Sequence, residues 1–404
     1  MKRIIAVILS LVLLFSLPLN VGAVRVATEY VGADLESPLE ENVQASAKVG
    51  ERLDINAKSA VLMEYNTGKV LYEQDADQKL APASITKVMT LILVMEALEE
   101  GKIKLDTKVT ASEHAASLGG SQIWLEPGEV MTIDELLKAT VIASANDATV
   151  ALAEAVSGSE EAFVQKMNEK AQALGLKNTN FINSYGLDAD GHYTTAYDIA
   201  VMSAELIKHK LIREYSTIKI DSLRGGESEL VNTNKLIRYY DGCFGLKTGT
   251  TGKAGSCLTA TAERDGLTLI AVVLGSPTSK DRFSGAQKLL DYGFANYTFV
   301  DVKADTSEFT ALPVKKGVTK SVMPIAEEGL PLLLKKGEEG GITQSYSFEE
   351  NLTAPIKKGD IIGYVTVCLN GEEVGVIPIK AASSVDKLTY FICLGRLFKG
   401  LFTL

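Results

Sequence analysis

Pro82-Ala83-Ser84-Ile85-Thr86-Lys87-Val88-Met89-Thr90-Leu91-Ile92-Leu93-Val94-Met95-Glu96-Ala97-Leu98 sets a hydroxyl and an amine three residues apart at the head of an apolar run. The run is too long for an ordinary strand and almost lacks a polar face. That pattern predicts a helix buried on most sides, with Pro82 just ahead of it where proline is tolerated. On such a helix Ser84 and Lys87 are i and i+3 and share one face, which puts the amine within reach of the hydroxyl proton. A serine hydroxyl is a weak nucleophile until a base takes that proton. Lysine becomes such a base only when burial or a second cation lowers its pKa from about 10.4. Spacing alone does not single out this pair, because Ser216-Thr217-Ile218-Lys219 and Ser384-Val385-Asp386-Lys387 share it.

Context separates them. Ser144-Ala145-Asn146 and Lys247-Thr248-Gly249 follow Ser84 in order, and each occurs once. A helical segment over 133–143 ends at Ser144, and a second helix starts near Asn146, so both lie on a connection facing the Ser84 helix; serine and asparagine also suit a plain helix cap. Residues 242–250 read as a strand that carries Lys247, Thr248 and Gly249. A cation and a hydroxyl suit a carboxylate, and a glycine admits a close backbone; an exposed strand end is the alternative. The ordered trio S-x-x-K, S-x-N, K-T-G marks penicillin-binding proteins and class A β-lactamases.

Longer blocks extend the match: Gly119-Gly120-Ser121-Gln122, Leu125-Glu126-Pro127-Gly128-Glu129, Ala143 to Ala148, Tyr193 to Asp198 and Gly245 to Thr250. With these, the chain resembles the low-molecular-mass penicillin-binding proteins that are serine D-alanyl-D-alanine carboxypeptidases, over most of residues 50–295. The resemblance implies an α+β fold, a β-lactamase/transpeptidase-like domain with an antiparallel sheet and a helical region, followed by a small all-β domain. It implies removal of the terminal D-alanine from peptidoglycan stem peptides through an acyl-enzyme on Ser84, with β-lactams as inhibitors and with neither metal nor cofactor. By the same resemblance, Lys87 is the base and Ser144 relays a proton to the leaving amine. Asn146 binds substrate backbone, Lys247 and Thr248 bind the terminal carboxylate beside Gly249, and the N–H groups of Ser84 and Thr250 form the oxyanion hole. The chain departs from the family in two places: Asn183-Ser184-Tyr185-Gly186 stands where an Asn-Pro-His-Gly-like run is usual, and Thr250 where a histidine is frequent.

No Glu or Gln lies between Phe181 and Tyr197, the loop in which class A β-lactamases place their deacylating glutamate. A β-lactamase or endopeptidase on the same fold, and a non-catalytic β-lactam or cell-wall sensor, are the competing functions. His114, His192 and His209 show no zinc-peptidase spacing and read as ordinary polar residues. A net charge of −10 with no basic stripe argues against nucleic acid.

Residues 1–23 combine Lys2 and Arg3, an apolar core and a small residue at Ala23, the pattern of a secretory signal peptide; a retained membrane helix is the alternative. The remainder is then exported, at the extracytoplasmic face of the bacterial membrane. Residues 24–50 read as a mobile lead-in, 51–295 as the catalytic domain and 296–382 as the β domain. Within the first domain, two strands flank Asn66-Thr67-Gly68, with partner strands at 256–263 and 267–274. Arg282 has two readings, a source of positive potential for the site or a surface residue. In the β domain, Lys315-Lys316-Gly317, Lys335-Lys336-Gly337 and Lys357-Lys358-Gly359 suggest similar turns, and Asn370-Gly371 a tight hairpin. Residues 383–404 form an amphipathic stretch with Arg396 and Lys399 on a narrow polar arc, read as a membrane-surface helix, with a core helix as the rival. The four cysteines are read mostly as buried free thiols.

Overall fold

The computed structural model describes residues 53–307 and 309–401. The expected signal peptide and lead-in lie outside the described residues. Five antiparallel strands form the main sheet: β1 (Ser59–Glu64), β2 (Val70–Gln74), β3 (Cys243–Thr251), β4 (Gly255–Arg264) and β5 (Leu267–Ser276), in the order β2-β1-β5-β4-β3. Strands from the two ends of the domain meet where Ser59 to Glu64 pair with Leu274 to Leu269. The expected partner strands are therefore the observed ones.

Alternation along each strand divides the core into two layers. Val61, Met63, Ile270, Val272 and Leu274 face the helical side. Ala60, Leu62, Leu269, Ala271 and Val273 face a helix over Ser279–Asn296 on the other side. All these strand residues are apolar because both faces are covered.

The helical layer is α1 (Lys87–Glu99), α2 (Ile133–Lys138), α3 (Asn146–Ser157), α4 (Glu160–Ala173) and α5 (Ala196–Lys208), with the Ser279–Asn296 helix, α6, behind the sheet. Two local departures from a regular helix matter. Ser84 lies not in α1 but in a 3₁₀ turn, Ala83–Thr86, that runs into it; in a 3₁₀ turn residues i and i+3 eclipse, which draws Lys87 beneath Ser84. Similarly α2 passes into one π-helical turn, Ala139–Ala143, ending at Ser144 in the left-handed conformation (φ 64°). Such turns recur at functional sites.

The hairpin between β1 and β2 is fixed by a buried carboxylate. Glu64 accepts the N–H groups of Asn66 and Thr67 (2.8 and 2.7 Å), the Asn66 amide and the Thr67 hydroxyl, while Gly68 takes a left-handed φ of 67°.

The second domain opens with a strand over Tyr297–Lys303 paired with Gly329–Lys335. Its other sheet orders Pro324–Ile325, Glu372–Ala381, Ile361–Leu369 and Ile342–Phe348 around a separate apolar core. The Asn370-Gly371 hairpin forms as expected. The three Lys-Lys-Gly segments differ: the second and third close i→i+3 bonds with Gly337 and Gly359 at positive φ, whereas in the first it is Lys316 that is left-handed and the chain pairs instead with Thr353 and Lys387. Backbone pairing continues through Leu388, past the boundary expected at 382, and the last helix, α7, spans Tyr390–Leu401. All four cysteines are free thiols; Cys257 alone is fully buried.

Replacing Glu64 with Ala leaves the turn N–H groups of Asn66 and Thr67 without their carboxylate acceptor. Denaturant unfolding is expected to show a loss of about 1–3 kcal/mol, and an unchanged midpoint would contradict this account of the turn.

Candidate active site

Lys87 is fully buried, and its Nζ has three neighbours: Ser84 Oγ at 3.2 Å, Asn146 Oδ1 at 2.6 Å and the Tyr185 carbonyl at 2.7 Å. The last two can only accept. A neutral amine has two protons, which those acceptors take, and its lone pair is then left for Ser84 Oγ. Burial, and next the charge of Lys247, hold the Lys87 pKa well below its ordinary value, partly opposed by Asp147. Geometry and electrostatics thus favour the same state, a neutral amine accepting from Ser84.

The turn that carries Ser84 is clamped by backbone contact from two sides. A Cβ on Gly186 would fall 1.9 Å from the Ala83 carbonyl oxygen, and one on Gly249 would fall 2.9 Å from Ser84 N and 3.1 Å from Ile85 N. Ala83 itself is left-handed, with φ 51°, a conformation that costs a non-glycine residue about 1–2 kcal/mol and persists only where surroundings impose it.

Strand β3 is the free edge of the sheet beside this turn. Lys247 is fully buried, and desolvation followed by the nearby Arg282 charge lowers its pKa to about 7. Thr248 donates to the Thr233 hydroxyl at 2.7 Å. Arg282 is buried: its Nη1 donates to the Gly249 carbonyl (2.9 Å) and Thr250 Oγ1 (2.8 Å). The structure thereby decides between its two readings, against the surface one.

The third wall is the π turn and the start of α3. Ser144 Oγ is buried with no hydrogen-bond partner, as a hydroxyl kept for an external group would be. Asn146 joins two elements, accepting from Lys87 and donating to the Gly119 carbonyl at 2.7 Å. Neither residue caps α3 with its side chain. Asp147 accepts the N–H groups of Ile123 and Leu125, holding the 119–125 loop against the site.

Three contributors carried no sequence signal. The Tyr185 acceptor is a backbone carbonyl, which any residue supplies. Thr233 lies in no motif, yet besides meeting Thr248 it donates its N–H to the Ile142 carbonyl and so links β3 to the π turn. His192, expected to be an ordinary polar residue, accepts the Ile182 N–H at Nδ1 (3.0 Å); its proton therefore sits on Nε2 and donates to Thr86 Oγ1 (2.8 Å). Burial lowers its pKa to about 4, so it stays a neutral link between the 181–194 loop and the nucleophile turn.

Gly249→Ala would push backbone away from Ser84. Acylation of Ser84 by a fluorescent penicillin is expected to slow on the order of a hundredfold, with the melting temperature lowered as well by the overpacking, and a parent rate would show that the close approach is dispensable.

Residues 43–278 match the D-alanyl-D-alanine carboxypeptidase family, and residues 297–387 match the penicillin-binding protein 5 C-terminal domain. The chain is 46% identical over 344 residues to the D-alanyl-D-alanine carboxypeptidase DacF of Bacillus subtilis, covering 84% of this chain and 88% of that one. Penicillin-binding protein 5 of Haemophilus influenzae has a similar structure (TM-score 0.71, 33% identity), covering 83% of this chain and 99% of that one. The ampicillin-bound form of penicillin-binding protein D2 of Listeria monocytogenes matches 60% of this chain and all of its own (TM-score 0.56, 32% identity). The chain therefore belongs to the D-alanyl-D-alanine carboxypeptidase family of serine peptidases, of the low-molecular-mass penicillin-binding type.

Proposed function

We propose that the protein is a serine D-alanyl-D-alanine carboxypeptidase that trims peptidoglycan stem peptides, with Ser84 as nucleophile and Lys87 as base. The observation that carries this reading is the fully buried Lys87 amine, 3.2 Å from Ser84 Oγ and held by two groups that can only accept, Asn146 Oδ1 and the Tyr185 carbonyl.

A peptide ending in D-Ala-D-Ala lies along the free edge of β3, a mode in which main-chain hydrogen bonds supply affinity. Its terminal carboxylate meets Lys247 and Thr248, and its backbone amide meets Asn146. Ser84 Oγ attacks the penultimate carbonyl as Lys87 takes the hydroxyl proton. The resulting oxyanion is held by the N–H groups of Ser84 and Thr250, the kind of preorganised donors that stabilise charge developing in the transition state. Ser144, with its unpartnered hydroxyl, relays to the departing D-alanine nitrogen the proton that Lys87 took from Ser84, which returns the amine to its neutral form, and the C–N bond breaks to leave an ester on Ser84. Water then attacks that ester, with proton transfer to the same amine. A β-lactam enters by the first half of this route and stalls at the ester.

The setting we propose is the extracytoplasmic membrane surface, with α7 as a peripheral anchor. Tyr390, Phe391 and Phe398 are 75%, 81% and 55% exposed, which a helix buried in a protein core would not leave so. Among the described residues no helix is long and apolar enough to cross a membrane.

Release of D-alanine from a D-Ala-D-Ala peptide by the full chain, absent in Ser84→Ala, is the expected result. An ester that forms on Ser84 and never hydrolyses would instead make the protein a sensor. The pH profile tests Lys247. In the free enzyme its charge is lost as pH rises through about 7, and a bound carboxylate stabilises that charge and raises the pKa. The alkaline limb of kcat is therefore expected at higher pH than that of kcat/KM; coincident limbs would remove Lys247 from carboxylate binding. Binding of the full chain to anionic vesicles, lost with Phe391→Glu, tests the anchor.

A further inference from the structure

Glu160 lies at the start of α4, outside the catalytic groups, and is only 8% exposed. Its Oε1 accepts both the backbone N–H and the hydroxyl of Ser184, at 2.9 and 2.8 Å, and its Oε2 meets Nε2 of His114 at 2.7 Å. Ser184 is itself buried, and its carbonyl accepts from Thr90 Oγ1 on α1 at 2.5 Å. The next residue is Tyr185, whose carbonyl takes a proton of Lys87. After it comes Gly186, its N–H bonded to Asn183 Oδ1 at 2.6 Å, pressed against the Ala83 carbonyl. A buried carboxylate is thus joined to the catalytic amine through two consecutive loop residues.

We propose that Glu160 is a positioning residue for Lys87: by holding Ser184 at both its N–H and its hydroxyl, it sets the Tyr185 carbonyl that directs the amine's lone pair to Ser84.

The inference rests on Lys87 being the base. Within the loop, Asn183 Oδ1 accepts the N–H groups of Tyr185 and Gly186 at 3.3 and 2.6 Å, which fixes the internal shape of the turn but not its position against the helices. Thr90 ties Ser184 to α1 only at its carbonyl, so without Glu160 the turn loses two of the three bonds by which Ser184 is anchored to the helices. A helix-cap role does not account for the contact, because the N-terminus of α4 is capped by Ser159. Simple burial does not account for it either, because a buried carboxylate left without partners is strongly unfavourable, and here both oxygens are aimed at specific groups. The charged groups around this arrangement are His114 with Glu154 and Glu161 beside Glu160, and Lys247 and Asp147 beside Lys87.

The test is acylation of the full chain by a fluorescent penicillin, followed against pH, with melting temperature measured alongside. Glu160→Ala loosens the loop and admits water to Lys87, weakening the desolvation that keeps the amine neutral. Its acylation rate at neutral pH is expected to fall on the order of tenfold to a hundredfold, with the rising limb moved roughly one unit alkaline. Glu160→Gln keeps an oxygen for Ser184 and is expected to restore most of the rate and the parent limb. A variant that is merely less stable would melt earlier without moving that limb. Should Glu160→Ala not fold, Ser184→Ala removes one of the two bonds at almost constant volume and is expected to move the limb in the same direction by less. A parent rate and limb in Glu160→Ala, or in Ser184→Ala where that is the variant measured, overturns the proposal. Lys87→Ala separates the two ideas: acylation that survives it removes Lys87 as base, whereas loss there with no effect at Glu160 removes only the positioning role.

Discussion

A primary amine without water around it is the constraint on which the rest of the structure depends. Keeping Lys87 neutral requires that every face of its side chain be closed, and the fold supplies the closure from separate places in the chain: the nucleophile turn, the start of α3, the 181–187 loop and the Lys247 strand. Each of these elements contributes an acceptor, a low-dielectric wall or a repelling charge. A lone buried lysine would be a stability defect; here the same desolvation lowers its pKa and makes the amine usable as a base at neutral pH.

The clamp on the nucleophile shows how this closure is built from backbone as much as from side chains. Gly186 and Gly249 let two elements approach the Ala83–Ser84 turn more closely than any side chain would permit, and Ala83 holds a left-handed conformation under that confinement. Irregular helical turns, 3₁₀ at Ser84 and π before Ser144, put both hydroxyls at points where the chain changes direction. A regular helix would have buried its hydroxyl groups along one side.

What could be read from the chain follows from what a residue name encodes. Ser84, Lys87 and the Lys247-Thr248-Gly249 strand were legible because the roles proposed for them, nucleophile, base and carboxylate partner, require those side chains at fixed spacing. The β1–β2 hairpin was legible because Asn66-Thr67-Gly68 interrupts two alternating runs. The Tyr185 carbonyl was not, since a backbone acceptor leaves no trace in residue identity, and neither was the Thr233–Thr248 pair, which depends on tertiary placement. Arg282 stood equally well on a surface or in a site until α6 was placed behind β4. The chain's departure from the family's usual Asn-Pro-His-Gly-like run points the same way. Where proline would restrain the backbone covalently, Ser184 is restrained by direct hydrogen bonds to a carboxylate 24 residues away in sequence.

Strand β3 remains the unpaired edge of the main sheet. An enzyme that receives its substrate along such an edge keeps permanently open the kind of surface through which proteins aggregate strand to strand. Here the edge is partly covered: the Ser84 turn closes on Gly249, Asn234 donates to the Gly245 carbonyl and Thr233 accepts from the Thr248 hydroxyl. The same edge that would take a peptide terminus in the proposed reading is therefore also blunted against pairing with another strand.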